Sequence, residues 1–179
     1  MRPFTAHRDW SNILAPNIPI KLQEWLLYKG SFMQRLVQYG IPDAKINVLQ
    51  ECWRMPWQWE SERLALDQEA ALIREVLIES SKKCWMYART VFPKEILTGR
   101  YACLANLKDR PLGSVLFQDP DLQRSEFEYI QLQAGMPLYH QVIEAGVLSA
   151  DLWTRRSVFS LHGKSLLLTE VFMPDIAYL

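Results

Sequence analysis

The sequence predicts an α+β domain built on a single antiparallel β-sheet. The clearest sign is a β-hairpin within residues 157–174, SVFSLHGKSLLLTEVFMP, where two alternating apolar runs meet at a turn around His162. A second sign is the stretch 18–40, IPIKLQEWLLYKGSFMQRLVQYG, in which apolar residues recur at helical spacing. Short helices mixed with hairpins are typical of the α+β class. His162 is accordingly predicted to be a turn residue and not a catalytic one.

Length and charge restrict the class of protein. With 179 residues, the chain is long enough for one domain, 1–179, with a substantial core. Its 20 basic and 20 acidic residues give a net charge of zero, which argues against nucleic acid or a membrane surface as partner. Residues 1–17 are expected to form an N-terminal extension, too short for a helix-turn-helix segment. The apolar runs are too short for membrane insertion, and we expect a monomer.

The cysteines and the first residues predict a cytoplasmic protein. The opening residues, MRPFTAHRDW, lack the apolar segment of a secretory signal. The cysteines are few, far apart and without CxxC spacing, as in proteins of reducing compartments. The cysteines and histidines are Cys52, Cys84, Cys103, His7, His140 and His162. Because their spacing is not that of metal ligands, no metal site is expected.

Two short helices are predicted within residues 18–40. Gly30 is the expected stop of the first, and Ser31 can cap a second that ends at Gly40. Residues 45–60 then start as a strand and become rich in tryptophan. We expect these tryptophans to pack in the core or in a lid rather than to stack on a ligand. They are Trp53, Trp57 and Trp59.

Residues 66–90 fit two structures. The positions at helical spacing are Leu66, Ala70, Ile73 and Leu77. The positions that alternate as in a strand are Ala70, Leu72, Arg74, Val76 and Ile78. In the strand interpretation, ESSKK is the turn into a second strand that closes at Pro93. Residue propensity and pattern alone favour the helix slightly. Beyond it, 93–99 is predicted as one helical turn and 110–119 as a loop that enters a short helix.

Two charged residues stand on predicted apolar faces. Glu170 shares its strand face with leucines and a phenylalanine, and Arg74 lies among aliphatic side chains if residues 66–90 form strands. A buried charge is costly unless it is paired or binds something. The two residues can pair with each other, or reach solvent at sheet edges. Alternatively they line a cavity for a small apolar acid, with its carboxylate on the arginine and a hydroxyl on the glutamate.

Six segments, in order, resemble the chorismate pyruvate-lyase family. They are EWLLYKGSFMQRL (24–36), LIREVLI (72–78), RTVFP (89–93), PLGSVLF (111–117), LWTRRS (152–157) and GKSLLLTEVFMP (163–174). The likeness extends over nearly the whole chain. It implies one α+β domain with an antiparallel sheet and helical flaps that cover a buried ligand cavity. It also implies that LIREVLI is a strand, against the preference of the local pattern.

The resemblance further implies an activity and a set of site residues. The activity is the conversion of chorismate into 4-hydroxybenzoate and pyruvate, the first committed step of bacterial ubiquinone synthesis, without metal or organic cofactor. The family's ligand-carboxylate arginine falls on Arg74, and its backbone contacts to that carboxylate fall on Phe32 and Leu112. Its glutamate, which contacts the ligand hydroxyl, falls on Glu170. Alternation thus points to the same two charged residues, Arg74 and Glu170, that the resemblance implies are catalytic.

Several features depart from the family pattern or leave a choice open. Phe32 stands where the family pattern has methionine, and residues 128–151 are longer than expected, with apolar spacing that predicts an added amphipathic helix. The enolpyruvyl carboxylate of chorismate needs a second partner, for which Arg89 and Arg155 are candidates. The alternative function is a non-catalytic module of the same fold that binds an aromatic acid, as effector domains of transcription regulators do.

Overall fold

The computed structural model describes residues 10–81, 83–147 and 152–179, and it confirms an α+β fold with one antiparallel sheet. The sheet has seven strands in the order β1-β2-β3-β7-β6-β4, with β5 also paired to β6. The strands are β1 (Lys45–Arg54), β2 (Ala71–Ser80), β3 (Lys83–Phe92), β4 (Gln123–Arg124), β5 (Glu128–Gln131), β6 (Trp153–Leu161) and β7 (Lys164–Phe172).

Short helices cover both faces of this sheet. The α-helices are α1 (Ile20–Leu27), α2 (Phe32–Gln38), α3 (Gln58–Leu64), α4 (Gly113–Leu116) and α5 (Pro137–Glu144). Three 3₁₀ segments are Lys94–Leu97, Gly99–Asn106 and Pro174–Tyr178. In the described part of the chain, none of the helices has the length and apolar character needed to cross a bilayer.

The central strands β2 and β3 settle the ambiguity of residues 66–90. The slight preference for a helix is wrong, whereas the strand that the family resemblance implies is confirmed. Nearly every residue of β2 is buried because both faces of the sheet are covered. A strand of this kind lacks a polar face, so that its apolar residues also fit a helical period.

The predicted hairpin at the end of the chain is formed by β6 and β7. Their two-residue turn is His162-Gly163, and both residues have positive φ, 49° and 77°. This is the backbone of a type I′ turn, whose twist matches that of the flanking strands. His162 is therefore a turn residue, as the sequence predicts.

Helices α1 and α2 pack as a helical hairpin on one face of the sheet. Leu22, Trp25 and Leu36 bury their side chains there. The predicted cap of α2 is present, because the Ser31 hydroxyl accepts a hydrogen bond from the backbone N–H of Gln34 at 3.3 Å. The first helix ends at Leu27, earlier than the stop expected at Gly30.

The helix predicted within residues 128–151 is α5, and it lies on the other face. Its buried residues Leu138 and Val142 pack with Met136 and Val147 in one apolar cluster. The strand β5 precedes it and pairs with β6. Residues 148–151 of this segment, like 1–9 of the N-terminal extension, lie outside the described residues.

Candidate active site

Arg74 and Glu170 project from the same face of the sheet, which we call the cavity face. A cavity lies between this face and the segments that cover it. Side-chain alternation on β2 and β7 places these two residues on it, and Ala88 and Thr90 of β3 form the floor between them. The remaining walls are largely apolar. The lining residues are Gly30, Ser31, Phe32, Ile46, Arg74, Val76, Ile78, Met86, Ala88, Thr90, Pro111, Leu112, Gly113, Leu116, Phe117, Arg124, Phe159, Leu168 and Glu170.

The strand register sets the separation between the two charges. Arg74 is paired with Thr90 across β2 and β3, and Glu170 is paired with Ala88 across β3 and β7. The two residues therefore stand on strands about 10 Å apart, and they are also offset by two positions along the strands. A planar ring with polar groups at opposite ends fits this separation. In the described structure Arg74 and Glu170 each pair with other residues rather than with each other.

Arg74 is nearly fully buried, and its guanidinium is only partly engaged by protein groups. Its Nε donates to Glu51 at 3.0 Å, and its Nη2 donates to the backbone carbonyls of Lys108 at 2.7 Å and Arg110 at 3.3 Å. Burial lowers the pKa of Arg74, and the charge of Glu51 opposes this change. These hydrogen bonds to described residues use Nε and Nη2 and do not involve Nη1.

The same arginine fixes the loop that forms one wall of the cavity. Lys108 has a positive φ of 54°, and its carbonyl turns toward Arg74. The chain then runs to Leu112, which lines the cavity immediately before α4. Anchoring this loop on a buried guanidinium limits its freedom, and the backbone of Leu112 is positioned as a result.

The loop between α1 and α2 forms another wall. Gly30, Ser31 and Phe32 line the cavity from this loop, with Phe32 at the first position of α2. The N–H groups of the first helical turn lack intrahelical acceptors. The Phe32 ring packs edge-on against Phe172, with ring centroids 5.9 Å apart. Phe32 is thereby tied to the sheet next to Glu170.

Glu170 is bound by two guanidinium groups. Arg155 donates from Nε to Oε2 at 2.6 Å and from Nη2 to Oε1 at 3.0 Å, and Arg124 donates from Nη2 to Oε2 at 3.1 Å. Burial acts to raise the pKa of the Glu170 carboxyl, but the charges of Arg155 and Arg124 outweigh it and hold the pKa below its usual range. Glu170 is consequently a buried carboxylate at neutral pH, able to accept a hydrogen bond from a ligand hydroxyl.

Two arginines proposed from the sequence as partners for a second carboxylate are not in the lining. Arg89 lies on the opposite face, where Glu60 and Glu75 bind its guanidinium. Arg155 lies behind Glu170, and its Nη1 donates to the carbonyls at the end of α1. These carbonyls belong to Trp25, Leu26 and Tyr28. Neither Arg89 nor Arg155 is part of the cavity lining, so the structure does not place either of the two proposed partners at the cavity.

Arg124 is a lining residue that the sequence analysis did not find. It belongs to β4, a strand of only two residues, so there is no alternating run from which its direction could be read. Its guanidinium lies between the rings of Phe127 and Phe159, at 4.3 Å and 4.5 Å from their centroids. The sequence signal is weak: one arginine before an aromatic residue, in a segment that reads as a loop.

Within the described parts of the chain, one group of side chains could ligate a metal ion, and it lies away from the cavity lining. Ligand atoms of Asp119, Asp121 and His162 are within 4.8 Å of one another. Asp119 already accepts a hydrogen bond from the Tyr101 hydroxyl, and Nη1 of Arg100 is 3.1 Å from the same carboxylate oxygen. A cation at this place would compete with the guanidinium, so the group is explained as a polar surface network.

The fold and the site together define an α+β domain whose apolar-walled cavity has one arginine and one ionised glutamate at its opposite ends. The comparison with known sequences then assigns it to a family. The Chorismate lyase family profile matches residues 10–178. This chain belongs to that family.

Individual relatives agree with this assignment. A protein of Nitrosospira multiformis named probable chorismate pyruvate-lyase is 38% identical over 171 residues, which cover 94% of this chain and 94% of the relative. A chorismate pyruvate-lyase of Hamiltonella defensa is 33% identical over 169 residues, which cover 93% of this chain and 85% of the relative.

Solved structures are similar in fold alone. The effector domain of PhnF from Mycobacterium smegmatis superposes with a TM-score of 0.57 at 12% identity, over 83% of this chain and 91% of that domain. A second structure of a PhnF C-terminal domain gives a TM-score of 0.58 at 13% identity, over 83% of this chain and 93% of that domain. The helix-covered sheet of this chain is thus similar in fold to these PhnF domains.

Proposed function

We propose that this chain is a carbon–oxygen lyase that converts chorismate into 4-hydroxybenzoate and pyruvate, the first committed step of ubiquinone biosynthesis. The observation that carries the proposal is the position of Arg74 and Glu170 at opposite ends of one apolar-walled cavity, in a chain of the chorismate lyase family. The two ends correspond to the ring carboxylate and the C4 hydroxyl of the substrate.

The reaction requires little chemical assistance from the protein. The ether bond at ring C3 breaks, the hydrogen at C4 leaves, and the enolpyruvyl fragment gains one hydrogen as it becomes pyruvate. The two products together contain the same atoms as chorismate, so no water, oxidant or reductant enters. Aromatisation of the ring drives the reaction. The main tasks of the site are to position the two groups and to exclude water.

At the Arg74 end, the proposed role is to anchor the ring carboxylate. A buried guanidinium with unused N–H groups binds a carboxylate strongly because the bond is charge-assisted and little water competes. The backbone N–H groups of Phe32 and Leu112, which both line the cavity, complete the contact in this proposal. A methionine at position 32 would offer the same N–H, so the Phe32 departure leaves this contact intact.

At the opposite end, Glu170 is proposed to accept a hydrogen bond from the C4 hydroxyl. Because Arg155 and Arg124 keep this group ionised, it acts as an acceptor and polarises the carbon that loses its hydrogen. Arg155 also ties the acid to the carbonyls at the end of α1, including that of Leu26 at 2.9 Å. Glu170 is thereby held in place by the α1–α2 helical hairpin, which we call the flap, as well as by the sheet.

The proposal includes a monomeric cytoplasmic enzyme that needs no cofactor. The cysteines Cys52, Cys84 and Cys103 are unpaired, as expected in a reducing compartment. Light scattering during gel filtration tests the monomer, and fractionation of cells tests the location.

The direct test is incubation of the purified protein with chorismate. Formation of 4-hydroxybenzoate is followed by absorbance, and pyruvate is followed with lactate dehydrogenase and NADH. We expect equal amounts of the two products. Chorismate that binds and stays unchanged would instead identify the non-catalytic module that shares this fold. The Arg74→Ala variant is the matched control, because it removes the proposed anchor.

A further inference from the structure

The substrate of the proposed reaction carries two carboxylates, and Arg74 accounts for one of them. The second belongs to the enolpyruvyl arm, which is attached at the ring carbon next to the one that bears the hydroxyl. If the hydroxyl contacts Glu170, the arm must begin within a few ångströms of that residue. A partner for its carboxylate is therefore to be sought beside Glu170 on the wall of the cavity.

Arg124 occupies this place. Its Nη2 is 3.1 Å from Glu170, its Nε donates to the Ser157 hydroxyl at 2.8 Å, and its Nη1 donates to the Lys29 carbonyl at 3.2 Å. These bonds to described residues use three of the five N–H groups of a guanidinium. The two flanking aromatic rings fix the plane of the group. The remaining donors are held rigidly at the cavity wall.

The charge at this end of the cavity also favours an anion. Arg124, Arg155 and Glu170 contribute two guanidinium groups and one carboxylate, which leaves one positive charge in excess. Burial lowers the pKa of Arg124 to about 10, a value at which the group is still charged at neutral pH. Since the end of the cavity is shielded from water, the excess charge is weakly screened. A neutral substituent would leave it uncompensated.

Arg155 does not fit the same role, although at 2.6 Å it lies closer to Glu170 than Arg124 does at 3.1 Å. Both of its donors on that side are committed to the Glu170 carboxylate, and its Nη1 donates to backbone carbonyls of α1. It is absent from the cavity lining, whereas Arg124 is part of it.

We propose that Arg124 binds the enolpyruvyl carboxylate and thereby makes the site selective for dicarboxylates of the chorismate type. This inference rests on the function proposed above. Arg74 and Arg124 then hold the two carboxylates, while Glu170 holds the hydroxyl between them. The enolpyruvyl arm is fixed relative to the ring, as the elimination requires, and the product 4-hydroxybenzoate loses the Arg124 contact as soon as pyruvate separates.

The test compares two stable ligands on the wild-type protein and the Arg124→Met variant. One is 3-(1-carboxyvinyloxy)benzoate, an aromatic dicarboxylate with the enolpyruvyl arm, and the other is the monocarboxylate 4-hydroxybenzoate. Calorimetry gives both dissociation constants. For the variant we expect the dicarboxylate to bind about 100-fold more weakly, the effect of losing one buried charged contact. The dissociation constant of 4-hydroxybenzoate is expected to change by less than about threefold.

Two further variants separate binding from support of the flap. Arg35 also donates to a carbonyl of the flap, that of Glu24 at 2.8 Å, but it is not part of the cavity lining. Arg35→Met is thus the matched control and is expected to leave the ratio of the two dissociation constants unchanged. Arg124→Lys keeps the charge without the planar fork, and we expect an intermediate ratio.

The result that overturns the inference is an equal loss of affinity for both ligands, or no loss for either, in Arg124→Met. If that variant does not fold, the wild type is titrated with 3-(1-carbamoylvinyloxy)benzoate. In this compound an amide replaces the carboxylate of the enolpyruvyl arm, so that the second negative charge is absent. The amide is expected to bind about 100-fold more weakly than the dicarboxylate, and equal binding excludes a charge-selective partner. These measurements need no turnover, so their outcome is independent of the chorismate assay that tests the proposed function.

Discussion

Two buried charge clusters, on opposite faces of the same sheet, have different compositions. On the cavity face, Arg124, Arg155 and Glu170 carry one positive charge in excess and border empty space. On the other face, the cluster of Arg89, Glu60, Glu75 and Arg54 contains two guanidinium groups and two carboxylates, in mutual contact.

The difference separates a charge cluster that is neutralised within the protein from one that borders a cavity. The guanidinium of Arg89 binds Glu60 through Nε and Nη2 and Glu75 through Nη1, and the Trp57 ring lies 3.8 Å from it. A neutral and satisfied cluster stabilises a fold or costs little, but it has nothing to offer to a ligand. Burial of charge is therefore common to both clusters. We assign the cavity-face cluster to the proposed site because it has an excess positive charge and borders an apolar cavity.

The largest expected effect is the loss of turnover in Arg74→Ala. Removing a buried charged contact to the substrate is expected to lower kcat/KM for chorismate about 10³-fold, or about 4 kcal/mol. The fold should persist because Glu51, the ion-pair partner of Arg74, is 21% exposed and can be hydrated. Steady-state kinetics with circular dichroism checks both parts. Near-normal kcat/KM in a folded variant would exclude the anchor role.

The second prediction concerns the cluster on the other face, where a substitution is expected to lower stability and to leave substrate binding unchanged. Arg89→Met leaves Glu60 and Glu75 buried without their main cation, and breaking such a pair typically costs about 3 kcal/mol of folding free energy. We expect a thermal midpoint lower by about 10 °C, with KM for chorismate unchanged in the molecules that remain folded. A change in KM at constant stability would mean that this cluster also contributes to the site.

The contrast between the faces explains how far the sequence could predict the site. Alternation on β2 and β7 identifies Arg74 and Glu170 as inward residues, and the family resemblance gives them their roles. However, Glu75 of β2 and Arg89 of β3 are just as deeply buried. The ion-pair partners of a buried charge can be distant in sequence, as Glu60 is from Arg89. The periodicity of a strand does not predict such partners.

The fold was likewise predictable where local sequence signals define an element, and not where such signals are missing. The β6–β7 hairpin and the α1–α2 pair depend on local signals, a tight turn and a serine cap, and both were found. Strand β2 was not distinguished from a helix by pattern, because burial on both faces removes the alternation. Arg124 was missed because β4 is too short to have a period.

The third prediction concerns the acid of the cavity cluster. Glu170→Gln removes the negative charge that balances one of the two arginines, and it weakens the acceptor for the C4 hydroxyl. We expect kcat for chorismate to fall about 30-fold, or about 2 kcal/mol, in the range of hydrogen bonds to charged groups. Stopped assays with purified variant measure it. Unchanged kcat would reduce Glu170 to a structural partner of Arg155.

The smallest expected effect is a difference in thermal stability at low pH between the wild type and Glu170→Gln. The pKa of Glu170 in the folded state lies below its unfolded value near 4.5, because Arg155 and Arg124 outweigh the effect of burial. Such a group contributes stability above the unfolded pKa, and this contribution is lost as the pH falls through the folded pKa. The wild type is therefore expected to lose thermal stability more steeply below about pH 4.5 than Glu170→Gln, which cannot titrate there.

A second acid makes this comparison specific to the cavity face. Glu128, on the opposite side of the sheet, also has a lowered pKa, since Arg156 and Arg63 outweigh its partial burial. It titrates in both proteins, and its contribution cancels when thermal midpoints from pH 3 to pH 7 are subtracted. A difference of a few degrees that appears only in acid would assign the ionised carboxylate to Glu170. Parallel pH profiles would show that its two arginines do not keep it charged.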